Sequence, residues 1–208
     1  MENNELNQNE QNIVQSENKS VQASKNGVLL YLHDLACLLS GIVLVLLLLF
    51  RIVVVSGPSM NATLIDGDYL LLLSNVFYSE PKYGDIIVAT KADFKNGEPI
   101  IKRVIATEGQ MVDIDFDEGI VFVDGIALDE PYTLTPTNQR EGMSFPLTVD
   151  EGCIFVMGDN RNMSKDSRNP EIGLIDTRQV LGKAIFLIFP GNNGGELSCN
   201  INRIGALS

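Results

Sequence analysis

The chain has 208 residues, a formal net charge of -12 and 45% hydrophobic residues, room for one globular domain of ordinary size beside an anchor and a tail. That acidity would repel a phosphate backbone and no compact Lys/Arg cluster offsets it, which excludes nucleic acid as the expected partner. The single histidine, His33, opens an apolar run, so Ser-His-Asp and Cys-His triads and multi-histidine metal sites have no imidazole where chemistry could occur. Any base must then come from Lys, Asp, Glu or Tyr. Cys37, Cys153 and Cys199 form no C-x-x-C spacing, so neither a zinc site nor a redox dithiol is indicated. A Cys153 to Cys199 disulfide stands as an option without a sequence signal behind it.

Residues 1–26 are rich in Asn, Gln, Glu and Ser, too polar to bury the surface that ordering requires, and are expected to form a disordered tail. Residues 27–51 read as a transmembrane anchor, since Leu35 to Phe50 carries no charge and apolar residues flank it on both sides. A buried core helix is the plainer alternative, but the run is apolar on every face. A cleavable leader fits poorly, because the preceding stretch is long and acidic and no A-x-A motif follows. Lys19 and Lys25 precede the run and Arg51 ends it, so charge counting does not orient it.

From residue 52 to 190 the pattern turns to short β-branched segments: VVVSG, DGDYLLLL, GDIIVAT, PIIKRVIATEG, MVDID, GIVFVDGIAL, CIFVMGD and KAIFLIFP. These predict strands, with Asp66-Gly67, Asp117-Glu118-Gly119 and Asp124-Gly125 as turns between them. The expected fold is mainly β, antiparallel sheets in a partly open barrel behind one N-terminal transmembrane helix. Residues 191–208 read as a loosely ordered polar C-terminal tail.

Three segments could carry chemistry. In Val55-Ser56-Gly57-Pro58-Ser59-Met60, Gly57 and Pro58 force a turn that could present the Ser59 hydroxyl just beyond the membrane; taken alone, an ordinary loop serine reads as well. In Pro99 to Ala106 (PIIKRVIA), strand alternation would turn one of Lys102 and Arg103 inward and the other outward. Most strand lysines lay their stems on apolar surface and keep the charge in water. A base requires the neutral amine, which from a reference pKa of about 10.4 is only about one lysine in a thousand near neutral pH, unless burial lowers that value. The third segment, Gly158 to Asn169 (GDNRNMSKDSRN), could be a polar loop. It also offers Asp166 and Arg168 for a bidentate pair and Ser164 to orient an amine.

Together, S-G-P-S-M-N-A-T-L around Ser59, Y-G-D-I-I-V from Tyr83, K-R-V-I-A-T-E-G from Lys102 and G-D-N-R-N-M-S-K-D-S-R from Gly158 resemble the bacterial type I signal peptidases. These are Ser-Lys peptidases of family S26 that remove signal peptides from exported proteins. Four such segments in order behind one anchor carry the resemblance from the anchor to Pro190. It implies that Ser59 is the nucleophile, Lys102 the general base and Ser164 the hydroxyl holding the lysine amine. It implies structural ion pairs Asp166 with Arg168 and Asp159 with Arg103. Met60, Leu64, Ile100 and Ile101 would lie near small S1 and S3 pockets, with Val53 and Val55 on the approaching strand.

The same resemblance implies cleavage after small residues through an acyl-enzyme, without metal or cofactor. The partners would be signal peptides of preproteins, the lipid bilayer and, close by, the secretion translocon. The location would be the cell membrane in a single pass, with the tail cytoplasmic and the peptidase domain extracytoplasmic. The sequence departs from the family pattern at Ala62, where proline is usual, at Met163, where asparagine is usual, and at Ala106, where glycine is usual. Gly57 lacks the side-chain donor that some members place there for an oxyanion. Two other readings remain in view. Self-cleaving repressors share a Ser-Lys dyad but have no use for a membrane helix, and a non-catalytic membrane-tethered β module could bind exported peptides.

Overall fold

The computed structural model describes residues 29–91, 94, 97–192, 194 and 199–207; the tail expected over 1–26 lies outside them. The chain divides into two compact units, Met1–Leu47 and Leu48–Ser208. One helix, α1 (Leu29–Leu49), has 21 residues at mean hydropathy 2.4. At 1.5 Å per residue it measures about 30 Å, the thickness of a bilayer's hydrocarbon. None of its apolar window is buried in protein, which sets aside the core-helix alternative.

A strand follows the helix at once. The β elements are β1 (Phe50–Val54), β2 (Tyr69–Ser74), β3 (Ile86–Thr90), β4 (Pro99–Thr107), β5 (Met111–Asp115) and β6 (Ile120–Val123). They continue as β7 (Ile126–Ala127), β8 (Leu147–Thr148), β9 (Cys153–Met157), β10 (Ile175–Asp176), β11 (Val180–Phe189) and β12 (Gly205–Ala206). One sheet runs β1-β2-β11-β3-β4-β9-β10 with β12 on β11, the other runs β7-β6-β5-β8, and every pairing is antiparallel. Neither sheet closes on itself, so the partly open arrangement expected from the sequence is the one found. The Asp124-Gly125 turn joins β6 to β7 with positive φ at both residues, 52° and 77°, the backbone a two-residue hairpin turn needs.

Three apolar clusters meet along β4. Ile101 belongs to the one holding Met60, Leu64, Leu70 and Leu72, Ile100 and Val104 to a second, and Ile105 with Ala106 to a third. Because β4 is covered on both faces, Lys102 and Arg103 are both buried, at 4% and 2% exposure. This corrects the expectation that alternation would turn one of them to solvent. Cys153 and Cys199 are both free thiols, so the disulfide option is not taken up.

The stretch after Pro190 also differs from its loose reading. Ile201–Arg203 form a 3-10 turn capped by the Asn200 side chain, and β12 pairs with Phe186 and Leu187 of β11. Its polar composition hides an anchor: the Arg203 guanidinium is paired with fully buried Asp68.

Candidate active site

Ser59 sits in the loop that leaves β1 and returns as β2. The neck of this loop is closed by Val55 N–H donating to the Asp68 carbonyl (2.8 Å) and Gly67 N–H donating to the Val55 carbonyl (2.9 Å). Met60 and Leu64, at 1% and 0% exposure, pin its middle into the core. Half-buried Ser59 is thereby held at the surface of a rigid turn rather than on a free loop.

Lys102 meets it from β4. The Lys102 Nζ donates to Ser59 Oγ at 2.8 Å and to the Ile101 carbonyl at 2.9 Å. β3 and the cores on either face of β4 fix the lysine backbone, so the pair is joined across the fold and not by proximity in sequence.

The segment after β9 clasps the Ser59 loop. Asn160 donates its N–H to the Ser59 carbonyl (3.0 Å) and its Nδ2 to the Pro58 carbonyl (3.1 Å). Thr63 Oγ1 donates to Asp159 Oδ2 (2.5 Å). Gly158 lies so close that a Cβ on it would come within 2.2 Å of Ser164 Oγ and 2.4 Å of the Ser59 carbonyl oxygen. Only glycine fits there. Asn160 and Gly158 carry no expected role from the sequence, although both lie in the motif G-D-N-R-N-M-S-K-D-S-R.

Beneath the site, arginines are buried against carboxylates. Arg103 Nε and Nη2 donate to Asp159 Oδ1 and Oδ2, each at 2.9 Å, and Arg168 Nε and Nη2 donate to Asp166 Oδ1 and Oδ2, each at 2.8 Å. Both expected pairs are therefore formed, bidentate and with every partner at 2% exposure or less. Asp166 also accepts the Gly158 N–H at 3.0 Å, which ties that pair to the glycine touching Ser59. A further pair, Arg161 with Glu130 (2.6 and 2.5 Å), eluded sequence reading, because Glu130 lies in an aperiodic loop remote from the motif. Burial works against the Arg161 cation, but Glu130 raises its pKa above the ordinary arginine value. The ring of Tyr132 lies 4.0 Å from the Arg103 guanidinium, and burial first, then Glu130, push its hydroxyl above the usual tyrosine range.

Ser164 departs from expectation. Its hydroxyl is buried and has no hydrogen-bond partner among the described residues, so it does not hold the lysine amine here; it packs instead against Gly158.

A cleft of about 700 Å³ opens over Ser59 and Lys102, walled by Val53–Met60 on one side and Glu98–Lys102 on the other. Val53, Val55, Met60, Ile100 and Ile101 line it as expected. Leu64 does not: it is wholly buried behind the wall in the Met60 cluster. Phe94, Met163, Lys165 and Glu171 complete the rim, residues that no periodicity could assign to it. β1 is an edge strand, and β4 pairs with β3 along Pro99–Arg103 but with β9 only from Arg103 onward. Two strand edges therefore face the cleft outside any ladder among the described strands.

Comparison with known proteins identifies the family. The model of the signal peptidase family, peptidase S26, matches residues 29–189. Signal peptidase I of Bacillus licheniformis is 39% identical over 163 residues, 73% of this chain and 85% of that one. Probable signal peptidase I-1 of Synechocystis sp. is 35% identical over 175 residues, 79% and 86% of the two chains. The crystal structure of a signal peptidase I from Enterococcus faecalis V583 matches with 30% identity and a TM-score of 0.42, covering 50% of this chain and 96% of that one. The family sets aside both the repressor and the non-catalytic module. With α1 as membrane anchor, the chain belongs to the signal peptidase family S26, serine peptidases that remove signal peptides from preproteins.

Proposed function

We propose that Ser59 is the nucleophile and Lys102 the general base of the cleavage reaction. The observation that carries this is the 2.8 Å contact between Lys102 Nζ and Ser59 Oγ inside a cleft. With the amine neutral, the Ser59 O–H donates to Nζ; Oγ attacks the scissile carbonyl as its proton passes to the lysine. The lysine returns that proton to the leaving amine. A water, deprotonated by the same nitrogen, then releases the acyl group. Burial at 4% exposure supports the role, since desolvation disfavours the ammonium. The Ser59 N–H has no acceptor among the described residues, whereas that of Gly57 is taken by Asp66 (2.7 Å). Ser59 N–H is therefore a backbone donor open to the developing oxyanion.

A signal peptide would lie extended between the unladdered edges of β1 and Pro99–Lys102, gaining main-chain hydrogen bonds on both sides. Val53, Val55, Ile100 and Ile101 leave room for small side chains at the first and third positions before the cut. Ser164, unpartnered and against Gly158, would take the lysine amine once substrate displaces it toward the cleft floor. The tail lies in the cytoplasm and the peptidase domain outside it, near the translocon, where anchored enzyme and anchored substrate share one bilayer and gain local concentration.

A serine-directed acylating probe tests the assignment. Labelling at Ser59 that Lys102→Ala abolishes supports it, and preprotein cleavage at near-parent rate by Ser59→Ala rejects it.

A further inference from the structure

The mechanism so far makes no use of the segment beyond Pro190, yet that segment grips the Ser59 loop by its neck. Asp68, the last residue of the loop, is wholly buried. Its carboxylate accepts the Ile65 N–H (2.8 Å) from within the loop and the Gly191 N–H (2.7 Å) from outside it. Arg203 then donates Nη1 to Asp68 Oδ1 (2.9 Å) and Nη2 to Asp68 Oδ2 (2.5 Å), and Nη2 also reaches the Thr63 carbonyl (3.2 Å). One guanidinium thus spans the neck and the stretch between Ser59 and the neck. The Arg203 side chain is 11% exposed, too buried for an incidental surface pair.

Two neighbouring contacts press on the same place. A Cβ on Gly191 would come within 2.3 Å of the Asp66 carbonyl oxygen and 2.7 Å of the Asp68 nitrogen, so the two backbones are in direct contact. Leu207, just after β12, packs against the cluster that contains Met60 and Leu64, and its N–H donates to the Ile185 carbonyl (3.0 Å). The grip is therefore fastened to the main sheet at its far end.

We propose that Arg203 is a positioning residue for signal peptide cleavage: by bridging Asp68 and Thr63 it fixes the loop that sets Ser59 Oγ against Lys102 Nζ. The proposal rests on the assignment of those two residues as nucleophile and base. The planar fork is what lets one side chain serve both acceptors, and a lysine, with a single charged nitrogen, can hold Asp68 without also reaching Thr63. Displacing a reacting atom by about 1 Å can cost on the order of 100-fold in rate, whereas the substrate walls at Ile100 and Ile101 do not depend on this bridge. Turnover should fall while substrate binding holds.

The test uses the full chain in detergent micelles, with preprotein as substrate and each preparation normalised by titrating Ser59 with an acylating probe. Arg203→Met should lower kcat per titrated site on the order of 10- to 100-fold with KM within about threefold. Arg203→Lys, which keeps the charge on Asp68 and is the variant more certain to fold, should retain part of the turnover and sit between the two. Ile201→Ala, an exposed side chain on the same turn, should match the parent. Parent-like kcat per titrated site in Arg203→Lys and in the folded fraction of Arg203→Met, with only thermal stability lowered, would overturn the proposal by leaving Arg203 a packing role. Absence of labelling at Ser59 in the parent would overturn the dyad itself, a result distinct from full labelling with unchanged turnover.

Discussion

The two walls of the cleft are built by opposite means. Lys102 stands on a nine-residue strand covered on both faces, with β3 beside it and three apolar clusters around it. Ser59 stands on a loop hung from an edge strand, held by hydrogen bonds that Asn160 donates and by backbone N–H groups donating to the carboxylates of Asp66 and Asp68. Lys102 is thus fixed by the same packing that stabilises the domain, whereas Ser59, on a loop pinned by Met60 and Leu64, is set in place by polar contacts that add less to folding. Damage to the lysine wall should register first as lost stability, and damage to the serine wall first as lost turnover.

The proposed dyad itself bounds the scale. Ser59→Ala and Lys102→Ala should each lower kcat/KM for a preprotein by about 10⁴-fold or more, and the double variant should be no worse than either, because residues acting as one unit are not additive. Lys102→Arg should fail equally, since a guanidinium does not deprotonate. A double variant much worse than the single ones would break the picture of one coupled pair across the two walls.

Asp159 is the next largest test; it bears on the lysine wall through Arg103 and touches the serine loop only through Thr63. Replacing it with alanine leaves the buried Arg103 charge without its bidentate partner, and stranding one member of such a pair costs about 3–5 kcal/mol. Urea unfolding should show that loss. A shift below about 1 kcal/mol would mean that water or another group takes over the arginine. Gly158→Ala belongs to the serine wall. The new methyl must displace the Ser59 backbone or the Ser164 hydroxyl, and turnover should drop on the order of 100-fold with a smaller change in thermal midpoint. The opposite ranking, stability collapsing while the folded fraction cleaves normally, would erase the distinction between the walls.

These outcomes also explain what could be read from sequence. Strand positions were legible because β-branched runs and turn residues alternate over short range, as at Ile120–Val123, Asp124-Gly125 and Ile126–Ala127. Ser59, Lys102 and the partners Asp159 and Asp166 were legible because they fall in motifs whose neighbours are close in the chain. Arg161 with Glu130 and Arg203 with Asp68 were not, being joined across 31 and 135 positions by residues that no local pattern marks. The alternation rule failed at Lys102 and Arg103 because it assumes one wet face, and β4 has none. Leu64 failed as a pocket residue for a related reason: being apolar and near Ser59 does not say which side of the wall it faces.

Ser164 offers a smaller and more discriminating effect. Its hydroxyl makes no hydrogen bond among the described residues, so Ser164→Ala should leave stability unchanged and lower turnover by about tenfold only if the hydroxyl receives the amine during the reaction. Turnover like the parent would restrict Ser164 to packing against Gly158.

The smallest effect lies at the edge of the lysine wall. Asp85 accepts hydrogen bonds from Lys183 Nζ (2.5 Å), the Tyr78 hydroxyl (2.6 Å) and the Lys82 N–H (3.1 Å), and its carbonyl accepts the Val104 N–H beside Lys102 (2.8 Å). Burial alone would raise its pKa, but the bonds from Lys183, Tyr78 and Lys82 together outweigh it and hold the carboxyl below the ordinary value. Burial and Asp85 in turn push the Tyr78 hydroxyl up, so it stays a donor over the whole working range. A carboxyl whose pKa is lower folded than unfolded stabilises the fold above the unfolded value, about 3.9, and loses that contribution as pH falls through the folded one. Asp85→Asn should therefore be less stable than the parent at pH 7, with the gap in urea midpoint closing below about pH 4. Cleavage per titrated site at neutral pH should stay at the parent level, because the cores on β4 continue to hold Lys102. A gap that persists undiminished into acid would assign the loss to the shape of the side chain rather than to its charge.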